Sequence, residues 1–157
     1  MATMKRSVAV AWAFAVGSVV AGESVTIELQ AVPEPILQAA TRAMPNARFH
    51  SANTEQEAAG LVYEIQGKTA DGRALEVDVL ESGQVEEIEV EFTRDLVPGA
   101  VLKAVEHQYP GFKIEFIEAS HSASKKVIQY EFVGTMGGKQ LDLEVSADGR
   151  RIVEADD

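Results

Sequence analysis

Apolar residues recur along this chain with two periods, and each period predicts a different kind of element. From Pro33 to Met44 they fall at Ile36, Leu37, Ala40 and Met44, which is one stripe of a helix opened by proline. After Pro98 the stripe returns at Val101, Leu102, Val105 and Tyr109, and a proline, Pro45 or Pro110, ends the helix in each case. The period then drops to two. Ala47 to Asn53 and Phe112 to Glu118 alternate, most cleanly with Phe112, Ile114 and Phe116 inward and Lys113 and Glu115 outward. Leu61, Tyr63 and Ile65, matched by Ile128, Tyr130 and Phe132, predict a second strand. Asp71-Gly72 and Gly137-Gly138 are two-residue hairpin signals leading into a third, where Leu75, Val77 and Val79 face one way and Glu76 and Asp78 the other. Ser82-Gly83 and Asp148-Gly149 turn the chain into a fourth.

The two sets of elements keep the same order at a nearly constant offset, which points to a duplication. Val32-Pro33 and Pro45 return 65 residues later, Tyr63-Glu64 returns 67 later as Tyr130-Glu131, and Leu75 to Val79 and Gly83 return 66 later. Strands that alternate bury one face only, so each helix must cover the apolar face of its own sheet. The expected fold class is therefore α+β: two tandem repeats, each a helix packed on a four-stranded antiparallel sheet. The expected boundaries are a leader over 22–31, repeat 1 over 32–92 and repeat 2 over 93–157. Phe92 to Leu96, with Thr93 as a cap candidate, is too short for a free linker, so the repeats should pack together.

The start of the chain changes the compartment. Lys5 and Arg6 precede an apolar run, Ser7 to Val20, and Val19-Val20-Ala21 offers the small residues of a cleavage site. Residues 1–21 read as a signal peptide cleaved near Ala21, too short to stay as a membrane span, so a periplasmic or secreted product is expected without stable membrane insertion. Two positive charges leave with that segment, which takes the net charge from −11 to −13. So acidic a chain repels phosphate backbones and anionic lipid and favours cationic partners. Cysteine is absent, which excludes disulfides, thiolate catalysis and a lipoprotein anchor.

Certain residues also carry a family resemblance. Val97-Pro98 before a helix, Tyr109-Pro110-Gly111 at its end, Tyr130-Glu131 in a strand, then Gly138-Lys139 with Leu141 to Val145 and Asp148-Gly149 resemble the PepSY-like domain, grouped with the beta-lactamase-inhibitor-like fold. The first copy departs from it with Met44-Pro45-Asn46 and Ser82-Gly83, both at turns. The resemblance implies an exported domain that binds or inhibits other proteins and catalyses nothing.

Candidate chemistry centres on carboxylates. In the run Glu86 to Glu91, alternation puts Glu87, Glu89 and Glu91 on the solvent face, shared with Glu64, Glu76 and Asp78, while Ile88, Val90 and Phe92 face the core. These six carboxylates are the candidate partner-binding residues, facing an unidentified basic protein or peptide. On an open sheet face they should remain ionised, unlike the buried carboxyl that acid catalysis needs. A small ligand or a cation bound by an envelope stress sensor is the second reading, although no calcium-loop spacing occurs. His50, His107 and His121 do not recur between the copies, and His121 falls in a Ser-rich stretch, Ser120 to Ser124, expected to be a loop. No catalytic residue, cofactor or metal ligand is assigned, and nucleic-acid binding is not expected. The acidic run has no equally dense counterpart around Arg150 to Glu154, so what is particular to this protein should lie in the differences between its copies.

Overall fold

The computed structural model describes residues 24–155. The expected signal peptide and its cleavage site lie outside them. Strand β1 (Val25–Ile27) leads through a short 3-10 turn to helix α1 (Glu34–Ala43), followed by β2 (Arg48–Glu57), β3 (Gly60–Lys68), β4 (Ala74–Leu80) and β5 (Val85–Glu91). A second 3-10 turn, Arg94–Leu96, precedes helix α2 (Gly99–Gln108), β6 (Lys113–Ser122), β7 (Val127–Met136), β8 (Lys139–Ser146) and β9 (Ile152–Glu154). Pro33 and Pro98 occupy the N-cap positions, where the missing N–H costs nothing. Thr93 caps the second 3-10 turn only through its backbone, without a side-chain hydrogen bond.

The expectation of two four-stranded sheets is overturned. All nine strands form one antiparallel sheet in the order β1 to β9. The join is made by β5 and β6, which pair from Glu87↔Ser122 through Glu89↔Ser120 to Glu91↔Glu118. Left separate, each sheet would expose a full edge of unpaired amides and carbonyls beside its neighbour, and pairing them removes both edges. The stretch 22–31, expected to be a leader, supplies β1, which pairs with β2 at Val25↔Thr54 and Ile27↔Ala52.

Both helices lie on the same side of this sheet. Ile36, Ala39 and Ala40 of α1 pack on Ile65, Val77, Val79 and Ile88, while Val101 and Val105 of α2 pack on Tyr130, Phe132, Leu143 and Val145. Phe92, just after β5, packs against both clusters and ties them together. Tyr63 packs against the first cluster and Tyr130 is buried in the second.

Bulges change the phase of alternation, and β6 departs from the expected phase for that reason. In β6 the register slips between Ile114 and Phe116, so Phe116 pairs with Val133 on the far side while Ile117 and Ala119 enter the core. Ile114 still packs inward; Phe116 does not belong to the core cluster. The Ser-rich stretch is also strand as far as Ser122, not loop. His121 therefore sits on the sheet, its ring 5.7 Å from that of Phe92 and its Nδ1 3.1 Å from the Ile88 carbonyl oxygen.

Candidate functional site

Period two sends every second residue of a strand to the face the helices leave bare, and on this sheet those residues are mainly acidic. The structure places Glu64, Glu76, Asp78, Glu87, Glu89 and Glu91 together there, since Glu64 pairs with Asp78, Asp78 with Glu87, and Glu76 with Glu89. Antiparallel pairing aligns the residues into rows running across the strands. One row reads Glu64, Asp78, Glu87, Ser122. The next reads Ser51, Gln66, Glu76, Glu89, Ser120, Gln129. A third reads Glu91, Glu118, Glu131, Glu144 and spans four consecutive strands.

The middle row carries its own hydrogen bonds. Ser51 Oγ donates to Gln66 Oε1 at 2.9 Å, and the other end of that amide donates to Glu76 Oε2 at 2.9 Å. Ser120 Oγ lies 3.5 Å from Glu89 Oε1, at the limit of a hydrogen bond. The third row has no such donors between its glutamates; among the described residues its one ion pair is Arg151 Nη2 to Glu144 Oε2, at 4.0 Å. Glu91 is turned toward the end of the sheet, where its Oε2 accepts from the Ala74 N–H at 2.9 Å.

Glu76, Asp78, Glu87 and Glu89 are drawn out of water, which corrects for these four the expectation that they remain ionised. Glu89 is 2% exposed, Glu118 8% and Glu131 9%. No helix lies on this face, so their burial comes from the side chains that neighbouring strands place beside them. Removal from water disfavours the charged form, and like charges on adjacent strands add to that. Burial first, then Glu118, Asp78 and Glu76, pushes Glu89 up to about 11. Burial and the neighbouring glutamates push Glu118 up to about 8, and burial with Asp142 and Glu144 does the same to Glu131. Glu76 rises to about 7, burial outweighing the opposing hydrogen bond from Gln66. Asp78 and Glu87 are raised for the same first reason, and Asp78 Oδ1 and Glu87 Oε1 are buried without any hydrogen-bond partner among the described residues.

Sequence reasoning missed Glu118, Glu131 and Glu144. A signal for two of them existed. The repeated Tyr-Glu puts Glu131 in the phase of Glu64, and the repeated pentad puts Glu144 in the phase of Asp78. Glu118 was hidden by the β6 bulge. Of the histidines, His50 is exposed with its Nδ1 2.9 Å from Ser51 Oγ at the outer end of the middle row, His107 is exposed on α2, and His121 lies under Phe92 on the helix side. Among the described residues no group of His, Asp and Glu is arranged to hold a metal ion, and no helix is long and apolar enough to cross a membrane.

Neither a protein-family model nor a curated protein sequence matches the chain. Solved structures do. A BLIP-like protein from Bacteroides fragilis superposes with a TM-score of 0.61 at 22% identity, covering 78% of this chain and 84% of its own. A DUF2874 family protein from Bacteroides uniformis gives 0.63 at 16% identity, covering 78% and 89%. A third, from Bacteroides eggerthii and described in provisional terms as periplasmic, gives 0.62 at 14%, covering 78% and 88%. At such identities the likeness is one of fold, and the PepSY-like resemblance and the duplication rest on the sequence correspondences; the chain has the BLIP-like fold, a long antiparallel sheet with both helices on one side.

Proposed function

We propose that this chain is an exported, non-enzymatic binding module that docks or inhibits another protein through the polar face of its sheet. The observation that carries this reading is the gathering of carboxyls from both halves of the chain onto one broad, helix-free face. The BLIP-like neighbour supports an inhibitor-like role, the signal-like residues 1–21 and the third neighbour's description support a periplasmic or secreted setting, and the ordered correspondences support two PepSY-like copies over 32–92 and 93–157. Carboxyls spread in rows over a sheet offer a wide surface for a macromolecule, whereas a small ligand is held by a concave pocket of convergent groups. The paired orphan oxygens of Asp78 and Glu87 favour a cation as the second reading, with an envelope sensor role.

Site-specific photo-cross-linking in the producing cells tests the first reading. A photoreactive residue at Asn53 or Gln129, which flank the acidic rows, should yield a discrete protein adduct. The same residue at Gln38 or Lys103 on the helices should yield none. Equal adducts from both sets, or none from the sheet, would overturn it.

A further inference from the structure

Strand β5 is the fifth of nine, and Glu87, Glu89 and Glu91 run along the middle of the acidic face. Alternate residues of an extended chain are about 6.6–6.8 Å apart, so these positions form a ladder with that step, Glu91 bending at its end toward the Ala74 N–H. Its surroundings are rich in acceptors and poor in donors. Glu118 and Glu131 are each more than nine-tenths buried, and one oxygen each of Asp78 and Glu87 is buried with no hydrogen-bond partner among the described residues. Buried polar groups without partners are costly and uncommon in proteins that act alone. Donors are missing on this face, and they are what an incoming molecule would bring.

Building on the protein-docking reading above, we propose that the partner supplies an extended basic segment lying along β5, with lysine or arginine at alternate positions facing Glu87, Glu89 and Glu91. Two extended chains share one step, so successive cations stay level with successive carboxyls; cations clustered in sequence point to both sides of an extended chain and meet half as many. Docking includes a proton transfer. A carboxyl that is protonated beforehand, Glu89 above all, releases its proton to bulk water when it meets an ammonium or guanidinium and becomes a carboxylate, while the incoming cation keeps all its protons. Facing Glu89 are Glu76 and Asp78 from β4, Glu87 and Glu91 from its own strand and Glu118 from β6, with Glu64 and Glu55 beyond Glu76. Arg73 is engaged with Asp71 and the Glu91 carbonyl oxygen, and Arg151 with Glu144 at the margin. The helices pack on the opposite side. Upward-shifted carboxyls agree with this exchange, since protons then compete with the partner near neutral pH.

Titration calorimetry of the mature chain tests it with a nine-residue peptide alternating lysine and threonine, in two buffers of different ionisation enthalpy. The expected result is net proton release and at least tenfold tighter binding at pH 8.5 than at pH 6. A peptide of the same composition with its lysines in one block should bind at least fivefold more weakly. The E89Q/E118Q double variant, whose amides mimic protonated carboxyls, should stay folded by circular dichroism and lose most of the release. Equal binding of both peptides, proton uptake, or no binding of the alternating peptide overturns the inference. Sheet-face photo-adducts persisting in that case would leave the docking reading standing; their absence would remove both.

Discussion

Glu118 on β6 and Glu131 on β7 stand directly opposite each other, both more than nine-tenths buried and without a counter-cation among the described residues. Two carboxylates so placed cannot both hold a charge cheaply, and the pair is comfortable only when it carries protons.

Stability should therefore fall as pH rises through neutrality. The folded-state values of Glu76, Glu118 and Glu131, about 7 to 8, lie above the 4.5 of the unfolded chain. Between these limits the folded state binds more protons, so the free energy of unfolding declines with pH. Their contribution is fully present below about pH 4.5 and is lost as pH climbs through 7 to 8. Asp71 and Asp148, lowered by hydrogen bonds from Thr69 and from the Arg150 backbone, act oppositely and lose theirs as pH falls below the usual carboxylate range. Urea midpoints at pH 4.5, 6, 7.5 and 9 should decline by the equivalent of a few kcal/mol in all. A flat or rising series would contradict this.

Glutamine at position 118 or 131 reproduces the neutral acid in nearly the same volume. E118Q and E131Q should each raise stability by about 1–2 kcal/mol at pH 8.5 and change it little at pH 4.5. Destabilisation at both pH values would mean that these side chains act as something other than strained acids.

Phe92 touches both core clusters, and its ring lies near those of His121 and Tyr130 and the guanidinium of Arg73. F92A should cost about 3 kcal/mol and reduce coupling between the halves. Hydrogen exchange of β3 and β7 amides would read this: protected to the same free energy in the parent, unequally in the variant. Equal protection in both proteins would place the coupling in the β5–β6 ladder alone.

Gly134 and Gly67 sit where the neighbouring strand comes close. A Cβ at Gly134 would collide with the Lys113 carbonyl oxygen, and one at Gly67 would lie 2.6 Å from the Arg48 carbonyl oxygen. G134A and G67A should each lose about 2 kcal/mol or more, whereas G99A, with open space around it, should be neutral or slightly stabilising. Thermal melts of the three variants would decide.

Much of this was legible in local pattern. Alternation alone brought the six carboxylates from Glu64 to Glu91 onto one face, because side-chain phase is a property of a single strand. Burial is not such a property. Glu89 loses water through what β4 and β6 place beside it, and β6 begins more than twenty residues after β5, beyond an intervening helix. The same long-range pairing made one sheet where the repeat pattern predicted two. The bulge at Ile114/Phe116 inserts a phase change with no glycine or proline in β6 itself, its glycine, Gly134, standing on the facing strand, which hid Glu118.

The places where the sheet stops are as telling as the place where it joins. Both outer strands, Val25–Ile27 and Ile152–Glu154, are three residues long, and each pairs along only part of its longer neighbour. A foreign strand arriving there finds few free backbone groups in line. A nine-stranded array could be a template for open-ended growth; this one tapers at both rims and offers its breadth through a face instead.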